Sequence, residues 1–132
     1  MREFTVTTQR RSQLVDITEL VRAAAAPLDG ASAALVYVPH TTAGVTINEH
    51  ADPAVARDFE TALERIVSEE WPWEHIEEGE ENAPTHIRAA FMGSDALVPV
   101  RDGTLALGTW QGIFLCEFDG PRERTVYVTI LR

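Results

Sequence analysis

Lysine is absent from this 132-residue chain, and all eleven basic residues are arginine. Schiff-base and P-loop lysine chemistry are therefore closed to it. Cys116 is the only cysteine, which excludes an internal disulfide and a Cys-x-x-Cys zinc site. Positive charge is scarce: 21 acidic residues against 11 basic ones leave a formal net charge of −10. That balance argues against nucleic acid as a partner. Long apolar runs are missing too. The longest, Ala33 to Val38, has six residues, where a membrane span needs about 20. No apolar stretch follows Arg2 as a secretory leader would require, so the expected home is the cytoplasm, away from any membrane. Gly-x-Gly-x-x-Gly, His-Glu-x-x-His and Gly-x-Ser-x-Gly are absent as well.

What is present suits one domain. Residues 1–132 show no repeat and no linker, and 45% of them are hydrophobic. The acidity is local. Residues 49–81 hold twelve acidic and two basic side chains, and the rest of the chain is neutral. This reads first as a solvated helix face and loop.

Alternation of Phe4 and Val6 with polar neighbours predicts a strand over residues 2–8. Gln9 to Ser12 reads as a turn. Asp16 reads as a helix cap with Glu19 as its capping-box partner, and Pro27 and Asp29-Gly30 end that helix. Ala33 to Val38 reads as a buried strand, and Val45 to Glu49 as another. Asp52-Pro53 starts a second helix with Val55, Phe59, Ala62, Leu63, Ile66 and Val67 on its apolar face. Asp58, Glu60 and Glu64 fall on its polar face. A loop over residues 71–82 carries Trp71, Trp73 and five glutamates. Thr85 to Met92 reads as a short helix, and strands follow near 95–100, 104–118 and 124–131. The expected class is α+β, with a mixed or antiparallel sheet and two main helices.

Four polar clusters lie at element ends. His40-Thr41-Thr42-Ala43-Gly44 follows a buried strand, where scaffolds place reactive groups. Its imidazole titrates near neutrality, and its hydroxyls and amides suit an oxyanion. Asn48-Glu49-His50 offers a hydrogen-bonding amide and a carboxylate able to act as ligand or base. His86 opens the segment that holds Arg88. Leu107-Gly108-Thr109-Trp110-Gln111-Gly112-Ile113 leads to Cys116 and Glu117. Glu117, between apolar neighbours, needs a partner if buried. Cys116 reads as a buried structural thiol.

Together these blocks resemble the YjbQ family, also called UPF0047 or the secondary thiamine-phosphate synthase family. The matching residues are His40 through Glu49, Ala51-Asp52-Pro53, Asp58-Phe59, Trp71-Pro72, His86-Ile87-Arg88, Gly93-Ser94, and Gly108 through Ile113 with Glu117. The resemblance spans nearly the whole chain. It implies a compact homotrimer with a weak thiamine-phosphate synthase activity, which joins a pyrimidine pyrophosphate to a thiazole phosphate. It also implies His40, Asn48, Glu49, His86 and Glu117 as catalytic candidates. Thr41, Thr42, Arg88 and Gln111 are substrate-binding candidates. Glu49, His86 and Glu117 are candidates for a divalent metal, Mg²⁺ or Zn²⁺. Where many relatives carry a second histidine two positions before His86, this chain has Pro84, so no His-x-His pair is available. The alternatives are a non-catalytic trimeric metabolite- or metal-binding protein, and a metal-dependent hydrolase of a small phosphorylated metabolite.

Overall fold

The computed structural model describes residues 1–75 and 82–132. Its elements are β1 (Arg2–Thr7), β2 (Gln13–Asp16), α1 (Thr18–Ala25), β3 (Ala33–Tyr37), β4 (Ala43–Glu49), α2 (Pro53–Ile66), α3 (Ala83–Met92), β5 (Asp95–Arg101), β6 (Thr104–Leu105), β7 (Gln111–Glu117) and β8 (Glu123–Leu131). They form a five-stranded sheet, β1-β8-β3-β5-β6, and a three-stranded sheet, β2-β7-β4. All described strand pairings are antiparallel. The α+β expectation holds, with α3 two residues longer at its start than the sequence suggested. The acidic part of the 71–82 loop, residues 77–81, lies outside the described residues.

Two cores meet at β7. Ile113 and Leu115 join Val36, Val45, Val126, Val128 and the α1 residues Val21 and Ala25 in the core between the sheets. Phe114 and Cys116 point the other way, to Leu14, Leu63, Ala89 and Phe118 under α2 and α3. A strand with both faces covered reads as an unbroken apolar run, and that is why residues 113–116 show no alternation.

Three local readings differ from the sequence expectation. The helix expected to be capped by Asp16 starts one residue later, at Thr18, with Ile17 as its N-cap residue. Asp16 closes β2 instead, and its Oδ1 accepts from the Thr18 amide at 3.0 Å and hydroxyl at 2.6 Å. The four-residue strand β2 went unread because it is too short to show a period. Glu60, expected on the solvent face of α2, is buried. It accepts from the Leu14 amide at 2.9 Å and from Arg10 at 2.8 Å, and so covers an edge-strand donor. The cap of α2 is as expected: Asp52 accepts from the Ala54 amide at 2.9 Å, with Pro53 opening the helix.

Candidate functional site

β3 stops at Tyr37, opposite Tyr127 of β8. β8 extends past that point, so the Thr125 amide has no partner on β3. The chain turns through Pro39, and His40 Nε2 accepts the Thr125 N–H at 2.9 Å. An accepting Nε2 places the ring proton on Nδ1. Burial lowers the His40 pKa, and the positive charge of Arg124 lowers it further. His40 is therefore a neutral imidazole that closes the end of a sheet and keeps one N–H to offer.

Behind it lies a buried ion pair. Glu117 shares its strand face with Ile113 and Leu115, and Arg124 shares its face with Val126 and Val128. Both side chains thus point into the end of the inter-sheet core. Arg124 Nε lies 2.9 Å from Glu117 Oε1, and Nη2 bonds to Oε2. Thr8 Oγ1 donates to Glu117 Oε1 at 2.7 Å, and the Phe118 and Asp119 amides donate to Oε2 at 3.1 and 3.0 Å. Arg124 Nη2 also reaches Thr42 Oγ1 at 2.7 Å. Burial alone would raise the Glu117 pKa, but Arg124 and then Thr8 hold it low. Sequence reasoning named Glu117 and Thr42 but missed Arg124 and Thr8. The signal was available: Arg124 continues the inward period of Val126, Val128 and Ile130 by one step.

His86 sits on the first turn of α3, above the same loop. Its Nδ1 lies 3.0 Å from the Thr41 carbonyl. A carbonyl only accepts, so Nδ1 carries the proton and Nε2 faces outward. The His75 ring lies 5.2 Å from the His86 ring, centroid to centroid. His75 lines a cavity of about 190 Å³ with Glu69, Trp71, Pro72, Trp73, Ala83 and Pro84. Trp71 and Trp73 stack there at 5.6 Å, and Trp73 is fixed by its Nε1–H donating to the Ser68 carbonyl at 2.9 Å. His75 was not singled out from sequence, because nothing local marks it.

The remaining candidates lie elsewhere. Ala43 pairs with Glu117, and Glu49 pairs with Gln111. Asn48, Glu49 and Gln111 therefore sit at the opposite end of β4 and β7 from His40, Thr41, Thr42, His86 and Glu117. Six residue steps at about 3.4 Å place the two ends ~20 Å apart. Asn48 Oδ1 accepts from the Glu49 amide at 2.8 Å, and Gln111 Oε1 accepts from the Gly108 amide at 2.8 Å. Arg88 is buried between α2 and α3. It donates to the Val67 carbonyl at 2.7 Å and to Glu69 at 3.2 Å, so it clamps the end of α2, and its buried Nε has no hydrogen-bond partner among the described residues.

The metal trio does not converge within one chain. Within one chain Glu49 is an element's length from His86, and the Glu117 oxygens are taken by Arg124, Thr8 and two amides. Neither supplies a lone pair beside His86. Among the described residues no group of three His, Cys, Asp or Glu side chains converges as metal ligands. These carboxylates do not fit a divalent cation. Among the described residues, too, no helix is long and apolar enough to cross a membrane.

Comparison with known proteins places this geometry. Residues 2–132 match the family described as UPF0047 protein YjbQ-like. A UPF0047 protein of Methanocaldococcus jannaschii is 42% identical over 98% of this chain and 92% of its own. The UPF0047 protein YugU of Bacillus subtilis is 43% identical over 99% and 98%. A crystal structure of an uncharacterized YjbQ/UPF0047 protein from Clostridium acetobutylicum superposes with a TM-score of 0.93 at 42% identity, covering 99% of this chain and 100% of that one. A hypothetical protein from Aeropyrum pernix gives 0.90 at 40% identity, covering 98% and 96%. The chain belongs to the UPF0047, YjbQ-like family.

Proposed function

We propose that the cavity lined by His75, with His86 beside it, binds a small phosphorylated heterocycle. On this reading the chain couples a pyrimidine pyrophosphate to a thiazole phosphate as a weak, secondary activity. The observation that carries the reading is the His75–His86 pair beside a cavity walled by stacked indoles. At about 190 Å³ the cavity falls below the ~300–1,000 Å³ of most small-molecule sites. It suits one flat ring, with the rest of the ligand lying over the two histidines.

The coupling asks for little acid–base chemistry. The bond from the pyrimidine methylene carbon to pyrophosphate oxygen breaks, and its electron pair leaves with pyrophosphate. The thiazole nitrogen then gives its lone pair to that carbon. Indole faces stabilise a cationic ring nearby. His86 Nε2, when protonated, donates to the departing pyrophosphate, with its ring held in place by Thr41. A bound divalent cation supplies charge neutralisation in such reactions, but no step here is routed through one. The reading extends to a homotrimer in the cytoplasm. Assembly is supported by exposed Tyr37, Leu97 and Leu131 on the five-stranded sheet, because faces of this kind mark interfaces.

A second, non-catalytic reading is favoured by one observation: Glu69, the carboxylate in the cavity wall, is already paired with Arg11 and Arg88. One assay separates the two. Wild type and His86→Ala are incubated with both substrates, with and without Mg²⁺, and pyrophosphate stabilisation is followed by thermal shift. Slow turnover that falls ~10²-fold in the variant supports the coupling. A thermal shift with no turnover supports a metabolite-binding protein. Neither turnover nor shift rejects both.

A further inference from the structure

We infer that the cleft between α2 and β2 is a second small-molecule site, which takes a small carboxylic acid that also carries a hydroxyl group. Neither His75 nor His86 takes part in it. The cleft has a volume of about 390 Å³, inside the ~300–1,000 Å³ of most small-molecule sites. Its floor is apolar, since Leu14, Ala56 and Phe114 belong to the core under α2. Its wall carries His50, which the coupling reaction does not use.

His50 is fixed on two sides. Its Nδ1 lies 2.8 Å from Asp16 Oδ2. Asp16 Oδ1 accepts from the Thr18 amide and hydroxyl, and the buried Thr18 hydroxyl in turn accepts from the Ile113 amide at 2.9 Å. A chain of hydrogen bonds therefore ties the imidazole to the backbone of β7. The ring also lies against Gly112, where a Cβ would fall 2.4 Å from Nδ1 and 2.5 Å from Cγ. Glycine at that strand position is what makes room for it. Burial would raise the Asp16 pKa, but Thr18 and then His50 hold it low. Asp16 is thus an anion that only accepts, so Nδ1 carries the proton and Nε2 keeps a lone pair. An imidazole oriented by a carboxylate on one nitrogen is set to receive a proton donor on the other.

The charged groups of the wall are engaged, with one exception. Glu60 accepts from Arg10 and the Leu14 amide, Asp16 from Thr18, and Asp52 is spent on capping α2. Arg57 lines the same cleft one turn into α2, and among the described residues it enters no ion pair. A guanidinium fork matches a carboxylate. A hydroxyl donating to His50 Nε2, a carboxylate on Arg57 and a carbon body on Leu14 and Phe114 together define the ligand class.

The probes are the three hydroxybenzoate isomers, which differ in the reach from hydroxyl to carboxylate. Binding is followed by isothermal titration calorimetry and by the His50 side-chain resonances. At least one isomer should bind wild type and shift those resonances. Benzoate, which lacks the hydroxyl, and phenol, which lacks the carboxylate, should each bind ~10-fold more weakly than that isomer. Arg57→Gln, at an exposed helix position, should lose ~10-fold in affinity for it. His50→Gln should bind it no better than benzoate. If His50→Gln disturbs the fold by circular dichroism, Arg57→Gln and the benzoate comparison carry the test. No binding of any isomer at millimolar concentration, equal affinity for benzoate, or wild-type affinity in Arg57→Gln overturns the inference. The last result would mean that the probe sits elsewhere on the chain.

Discussion

At the scale of single residues, Arg124 and Glu117 carry the largest stake. Arg124→Met would leave a carboxylate buried without its counter-charge. The expected loss is ~3–5 kcal/mol of folding stability by urea denaturation, and the Arg124→Met/Glu117→Gln pair should lose less. The pH dependence has a defined sign. The folded pKa of Glu117 lies below its unfolded value, so its stabilisation is complete above the unfolded carboxylate pKa and is lost as pH falls through the folded one. His40 behaves alike, one range higher. Its pKa is lowered on folding, so it contributes above the unfolded histidine value near ~6.5 and loses that contribution as pH falls below it. Urea midpoints should therefore drop from about pH 7 to about pH 5 in wild type, and drop less in His40→Gln. An equal drop in the variant would remove His40 from the account.

The elements show why some of this was legible in the sequence and some was not. α2 was read correctly at its start because Asp52 and Pro53 act locally, through a cap and a fixed φ. Its buried face was read less well. Ile66 is 57% exposed while Glu60 is buried, since Arg10 and an edge amide from β2 outweigh the cost of sinking that carboxylate. Glu49 and Glu117 stood in two separate matching blocks, and only the strand register tells that they occupy opposite ends. Spacing along a chain does not report on pairing across a ladder. One close approach links the elements to the site. A Cβ on Gly44 would fall 2.6 Å from the Gly93 carbonyl oxygen and 3.2 Å from that of Ala89. Backbone at the end of α3 cannot move aside cheaply, so Gly44→Ala should cost ~1–3 kcal/mol. It should also shift the His86 side-chain resonances, because α3 holds that ring over Thr41. Unchanged resonances would show that α3 tolerates displacement without moving its first turn.

For the whole molecule, the exposed aromatic residues are the clearest property still without a role inside one copy. Trp110→Ser should lower the mass seen by light scattering and leave the circular dichroism spectrum unchanged. An unchanged mass would take Trp110 out of any interface. The strand order has a further consequence, for synthesis. β8 is made last of the strands, yet it lies between β1 and β3 and brings both Arg124 and the amide that His40 accepts. A nascent chain that has emerged only as far as Gly120 holds two sheet strands with no neighbour between them and a glutamate with no counter-ion. β3, β5 and β6 can pair as they are made, but β1 cannot join them in the larger sheet. It must wait for β8, and the apolar faces of β1 and β3 stay open to chaperones, or to other unfinished chains, until that strand arrives.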